Sequence, residues 1–155
     1  MGGITYVKGS ILQVANFPRI LLHSCNCNGS WGGGIAYQLA LRYPDAEAEY
    51  MESCERHVVG LLGKCKLLKT KEDPNLIIGC LFTATLGGSD QNDSYILKYT
   101  KNALDNFKSQ IDQDETLKNH KIIMPKINSG IFGVPWHLTE KILEESGLDI
   151  TVYVI

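Results

Sequence analysis

Several things are scarce in this chain, and each scarcity closes off a class of function. No run of residues approaches the roughly 20 apolar positions that span a bilayer, so no membrane-spanning helix is expected. Met1 to Lys8 form no apolar signal region, and a cytoplasmic or nuclear protein is expected. Neither sign of charge dominates: 15 Lys and Arg face 17 Asp and Glu, a net charge of −2. Such a balance exerts no general attraction on nucleic acid or membrane surfaces, so neither is expected as a partner. An anionic ligand would have to be held by local backbone donors. Cysteine is limited to Cys25, Cys27, Cys54, Cys65 and Cys80. An odd, scattered set speaks against a disulfide framework. Cys25 and Cys27 form a C-x-C pair without a second pair at zinc-site spacing, and no paired carboxylates suit two metal ions. Metal and cofactor are therefore both expected to be none, and the thiols are read as free and buried or half-buried.

Two nucleotide-binding signatures are missing as well. No Gly-Lys-Ser/Thr follows a glycine cluster, which excludes a P-loop. Gly29, Gly32, Gly33 and Gly34 lack the spacing of the dinucleotide fingerprint, and no acid ends the next strand at the ribose position. Nor is there a Cys-x₅-Arg nucleophile loop.

What remains is the composition of one soluble globular domain: 155 residues, 44% apolar and 21% charged, with no internal repeat and no dividing linker. Ile4 to Lys8 reads as a strand, and Arg19 to His23 as a short strand buried on both faces. Ser24 to Gly34 is expected to be neither helix nor regular strand, its three successive glycines marking positive φ or close backbone approach. Helices are predicted over Ile35 to Tyr43 and, with Asp45 as N-cap, over Ala46 to about Arg56. Leu62 to Leu68 and Leu76 to Thr83 read as strands. Ser94 to Ile111 is the strongest helix, with Ile96, Ala103, Leu104, Phe107 and Ile111 on one stripe. Lys121 to Ile127 is a strand, Leu138 to Glu145 a short helix, and Ile150 to Ile155 a final strand. Strands alternating with helices predict an α/β fold with a mixed, largely parallel sheet covered on both faces.

In such sheets ligands sit beyond the carboxyl ends of strands. Two loops fit that place: His23 to Gly34, which opens the first helix, and Asn128 to Pro135, which leads into the last. Each offers free N–H groups near a helix start, which suits phosphate oxygens. Two such cradles suit a diphosphate. Taken singly, each glycine cluster could equally be a tight connection.

The residues of these segments resemble the macrodomain family. The match is carried by ITYVKG from Ile4, ILLHSCNCNGSWGGGIAYQLALRYP from Ile20, INSGIFGVPW from Ile127 and TVY from Thr151. The resemblance implies one domain over residues 1–155, a three-layer α/β/α fold, and ADP-ribose or ADP-ribose 1″-phosphate as the small-molecule ligand of a monomer. It implies a metal-independent phosphoric monoester hydrolase that releases the terminal phosphate of ADP-ribose 1″-phosphate. Two alternatives stay open: a non-catalytic ADP-ribose-binding module, and a hydrolase of protein-linked ADP-ribose. The Lys and Asp pair that a different macrodomain subclass uses would fall near Ala84 and Thr85 and at Phe132, and neither is present.

Site residues carry over by position. Gly9, Ser10 and Ile11 stand where macrodomains hold the adenine; many have Asp at the second position, and Ser10 departs from that pattern. Asn26 falls on the distal ribose. Gly32, Gly33, Gly34 and Ile35 form the first phosphate loop, with Ser24, Cys25, Trp31 and Ala36 beside it. Ser129, Gly130, Ile131, Phe132 and Gly133 form the second, preceded by Asn128. His23 and Asn26 are the expected catalytic residues: imidazole can exchange a proton near neutral pH and so serve a phosphate ester, unless His23 is a core histidine bonded to a carbonyl. Trp31 reads as a lid or an anchor. Phe132 and Tyr153 read as ribose and adenine contacts or as packing. Asp90 reads as a water-orienting or a solvated group, and His57, His120 and His137 are weaker candidates.

Overall fold

The computed structural model describes residues 2–13, 15–85, 92–130 and 132–155. Six strands form one sheet in the order β1-β6-β5-β2-β4-β3. These are β1 (Gly3–Lys8), β2 (Arg19–Asn26), β3 (Cys65–Lys69), β4 (Leu76–Ala84), β5 (Lys121–Met124) and β6 (Asp149–Val154). All neighbours are parallel except β3, which pairs antiparallel with β4 at the edge. Helices α1 (Gly34–Arg42) and α2 (Pro44–His57) cover one face, and α3 (Asp93–Asp112) and α4 (Trp136–Glu145) the other. This is the expected three-layer α/β/α arrangement. Among the described residues no helix is long and apolar enough to cross a membrane.

The central strands explain the layering. Side chains alternate across a strand, so Leu21 of β2 joins Leu39, Tyr50 and Phe82 under α1 and α2, whereas Ile20 and Leu22 join Leu104, Phe107 and Leu143 under α3 and α4. All nine residues of β4 are buried. A sheet covered on both faces needs such uninterrupted apolar runs. Arg19 and Asp73 close the opposite end of the sheet from the strand C-termini, as a buried pair 2.7 Å apart.

Several boundaries differ from the sequence reading, each for a local reason. β2 runs three residues beyond His23, because Ser24, Cys25 and Asn26 continue the ladder to Leu81, Phe82 and Ala84, with a register shift between Cys25 and Asn26. Strand pairing there overrides the polar, turn-like composition. β5 ends at Met124, before Pro125, which has no N–H for a ladder. β3 starts at Cys65 and not Leu62, since Gly63 turns at φ +75°. α2 starts at Pro44 itself; proline is well tolerated in a first helical turn. α3 is capped by Asn92, whose Oδ1 accepts from Ser94 N at 2.8 Å. Of the three successive glycines only Gly34 has positive φ, +60°, while Gly33 is extended at −149°.

Gly79 is where β4 lets its neighbour close in. A methyl placed there would stand 2.4 Å from Leu22 Cδ2, itself fully buried. Gly79→Ala should therefore destabilise the domain by about 1–3 kcal/mol through overpacking. Urea unfolding checks this against Gly3→Ala, whose added methyl meets nothing within 4 Å. Equal midpoints for the two variants would count against it.

Candidate functional site

At the carboxyl ends of β2 and β5 the two glycine-containing loops enclose a cleft of about 570 Å³. Its floor is the end of β2: His23, Ser24, Cys25 and Asn26. One wall is Trp31 through Ala36. The other is Pro125 to Asn128 with Gly130 and Phe132.

The first wall is shaped by Asn26. Its Oδ1 accepts from Asn28 N at 2.9 Å and from Ser30 N at 3.3 Å, and its Nδ2 donates to Ser30 O at 2.9 Å. The Tyr50 hydroxyl from α2 lies 2.8 Å from Asn26 Oδ1 and 2.9 Å from Asn26 O. The side-chain amide of Asn26 is thus engaged in folding the loop. Burial, chiefly, pushes the Tyr50 hydroxyl well above its ordinary range, so it stays a proton donor. Tyr50 stacks on Trp31 at 4.9 Å between ring centroids and on Phe82 at 6.0 Å, and Trp31 meets His23 edge-on at 5.2 Å. Trp31 is 3% exposed, so of its two readings it is an anchor and not a lid. Its Nε1 has no partner among the described residues.

Past this anchor the chain enters α1 without a side-chain cap and without an acid in the first turn. α2 and α3, by contrast, carry Asp45, Glu47 and Asp93 in theirs. The first N–H groups of a helix have no intrahelical partner and sit at the positive end of its dipole. On α1 they open on the cleft, bordered by Gly34, Ile35 and Ala36.

The second wall is pinned by Asn128, which is left-handed at φ 66°, a conformation asparagine tolerates better than most residues. Its Nδ2 donates to Thr100 Oγ1 at 2.9 Å and approaches Thr139 Oγ1 at 3.4 Å, while its Oδ1 accepts from Thr83 at 3.3 Å. Its N–H donates to Ser24 Oγ, which ties the second loop to the end of β2. Lys126 joins this wall with its side chain exposed, and forms no ion pair among the described residues. Nothing in the sequence marked it, because it sits inside Lys121 to Ile127, which reads as strand, before the glycine motif.

His23 is 1% exposed. Its Nε2 lies 3.4 Å from Cys25 Sγ and 4.0 Å from Cys80 Sγ, so among the described residues its ring meets thiols and an indole and no backbone carbonyl acceptor. All five cysteines are free and buried, as the sequence indicated. Burial pushes the Cys27 thiol up to about 12 and holds Cys65 and Cys80 well above the ordinary range. Among the described residues, His23, Cys25 and Cys80 are the group with metal-ligating atoms in mutual reach.

Other expected site residues lie elsewhere. Gly9 donates its N–H to Val154 O, Ser10 Oγ accepts from Leu12 N at 3.2 Å, and Ile11 and Tyr153 each pack against the core on the α1 and α2 side; none borders the cleft. Ser129 Oγ turns back to Lys126 O, and Gly133 N–H to Gly130 O. Phe132 borders the cleft while packing with Ala84, Ile96 and Val134. His57 and His137 are exposed away from the cleft, and His120 is half-buried far from it. Ile131 and Asp90 lie outside the described residues.

Comparison with known proteins places this geometry. The Macro domain model matches residues 22–143. A Saccharomyces cerevisiae protein named ADP-ribose 1″-phosphate phosphatase is 51% identical, with 99% of each chain covered. A Candida glabrata protein of the same name is 42% identical over 99% of each. Among solved structures, the macrodomain of Mycobacterium tuberculosis DarG superposes with a TM-score of 0.79 at 25% identity, covering 100% of this chain and 99% of that one. Thermosipho africanus DarTG, solved in complex with ADP-ribose, gives 0.67 at 17% identity, covering 89% of this chain and 38% of that one.

The Tyr50 hydroxyl holds the first loop from below. Tyr50→Phe should cost about 1 kcal/mol and speed hydrogen exchange at the amides of Asn28 and Ser30 by about five- to tenfold. Exchange-detected NMR reads this directly. Unchanged protection in a folded variant would show that the hydroxyl does not hold the loop.

Proposed function

This chain belongs to the Macro domain family, and from that premise we propose that its cleft removes the terminal phosphate of ADP-ribose 1″-phosphate. The products are ADP-ribose and inorganic phosphate. Full-length identity of 51% to a protein named for that activity is the observation that carries the reading. The alignment takes in 99% of each chain. ADP-ribose, the ligand in the Thermosipho africanus complex, is the core of the proposed substrate.

The residues divide the work. The acid-free start of α1 and the N–H groups of the second loop suit the diphosphate, which they address by direction and not by net charge. The chain carries a net −2, so a local cation is needed against a polyanionic ligand, and Lys126 is the cationic side chain bordering the cleft among the described residues. Charge-assisted bonds from such a group are roughly twice as strong as neutral ones. Asn26 acts by holding the loop that receives the distal ribose. In the reaction, a water oxygen bonds to phosphorus as the bond between phosphorus and the 1″ oxygen breaks. The water loses a proton and the ribose oxygen gains one. His23 is the imidazole on the cleft floor, the side-chain type most used for proton transfer in catalysis, and it takes that role in this reading. No step calls for a metal ion.

Two variants separate chemistry from binding. His23→Ala should lower kcat for phosphate release by about 10²–10⁴-fold with ADP-ribose affinity little changed. Lys126→Met should do the reverse: ADP-ribose binding weakened about tenfold or more, a flatter salt dependence, and recovery in Lys126→Arg. Isothermal calorimetry and a phosphate-release assay on folded variants read both. A His23→Ala protein with near-normal kcat would remove the imidazole from the reaction, and salt dependence unaltered in Lys126→Met would remove the lysine from the ligand.

A further inference from the structure

The floor of the cleft holds more ligating groups than a single proton transfer uses. His23 on β2 and Cys80 on β4 are register partners, and Cys25 follows two residues along on the same strand face. One nitrogen, His23 Nε2, therefore lies 3.4 Å from Cys25 Sγ and 4.0 Å from Cys80 Sγ. The three ligating atoms all fall within 4.8 Å of one another, and all three residues are buried.

Those spacings match the edges of a small tetrahedron around a soft cation. Zn²⁺ binds imidazole at about 2.0–2.1 Å and thiolate at about 2.3 Å, which sets N–S edges of about 3.5 Å and S–S edges of about 3.8 Å at tetrahedral angles. Shifts of less than about 1 Å would close the group on the ion. Charge fits as well. Two thiolates, a neutral imidazole and a divalent ion sum to zero, so filling the site buries no net charge. Without an ion, burial keeps the Cys80 thiol protonated; filling the site sends two protons to solvent. The entry path is the cleft itself, which His23 and Cys25 border.

We propose that His23, Cys25 and Cys80 form a soft-metal site that takes Zn²⁺, and that its occupancy inhibits the enzyme by capturing the imidazole nitrogen. The backbone of a parallel strand pair sets this coupling, because the residue placed to exchange protons is also the residue facing both thiols. The inhibition rests on the phosphatase reading above; the binding of the ion does not.

The test uses the whole, reduced, metal-stripped chain and Zn²⁺ alone. Competition against a chromophoric chelator should give one ion per chain, with two protons released in weak buffer. Co²⁺ in place of Zn²⁺ should show thiolate-to-metal charge-transfer absorption. Phosphate release should fall with the Zn²⁺ binding midpoint and return with EDTA, while EDTA alone leaves turnover unchanged. Cys80→Ala, which does not border the cleft, should keep turnover and raise the Zn²⁺ midpoint by more than about a hundredfold, beyond what loss of an outer-shell partner alone gives. Cys65→Ala, a buried thiol outside the group, should behave as the parent protein. Absence of stoichiometric binding, a Co²⁺ spectrum without the thiolate band, Zn²⁺ activation, or unaltered inhibition in Cys80→Ala overturns the proposal. If Cys80→Ala does not fold, the Co²⁺ spectrum of the parent chain decides. If the chain releases no phosphate at all, stoichiometry and spectrum still decide the site itself.

Discussion

The pairing of β2 with β4 on one side and β5 on the other is the constraint from which the rest follows. It is a parallel pairing on both sides, so the carboxyl ends of three strands come together at one edge of the sheet. Parallel strands demand cover on both faces, which places α1 and α2 opposite α3 and α4. The connections into those helices must then leave from the same edge. The cleft is the space between two such departures, and its floor is the last four residues of β2. Because those residues stay in the ladder, their side chains alternate rigidly. His23 and Cys25 face the α1 and α2 side, and Ser24 faces the other, where its hydroxyl receives the Asn128 N–H.

The two walls are held by the same kind of device. Each has one buried asparagine whose side-chain amide bonds to several groups around it. Asn26 organises Asn28 and Ser30 and meets Tyr50; Asn128 engages hydroxyls from three elements, Thr83 on β4, Thr100 on α3 and Thr139 on α4. A buried amide held by several partners favours one conformation, since others leave costly unpaired groups. The glycine-containing stretches between these anchors are thereby kept open without being loose.

The α/β layering, the order of the elements and the two loops were legible from periodicity and glycine placement, because each is written in contiguous residues. Asn26, Trp31 and the first turn of α1 could be placed beside one another for the same reason. What could not be read was anything set by pairing across strands. The extension of β2 through Asn26 depends on β4, more than fifty positions away, as does the meeting of His23 with Cys80. Cys80 stood among apolar residues of a buried run and gave no sign of its partner. Lys126 was hidden likewise: its place on the wall depends on β5 ending at Met124 and on the turn that Asn128 pins. The three glycines gave the right place with part of the wrong reason, since left-handed backbone is confined to Gly34 among them.

The bare start of α1 has a consequence for how the domain is completed. A helix whose N-cap is Gly33, with no side-chain acceptor and no acid in its first turn, forgoes about a few tenths of a kcal/mol that serine or aspartate would contribute. An anion lodged there supplies the same acceptor from outside the chain. Ligand and helix are then two halves of one secondary-structure element, finished only when they meet. Residue choice at this turn is a contest between self-sufficiency and appetite: a chain that capped its own helix would be the sturdier molecule and the poorer receptor.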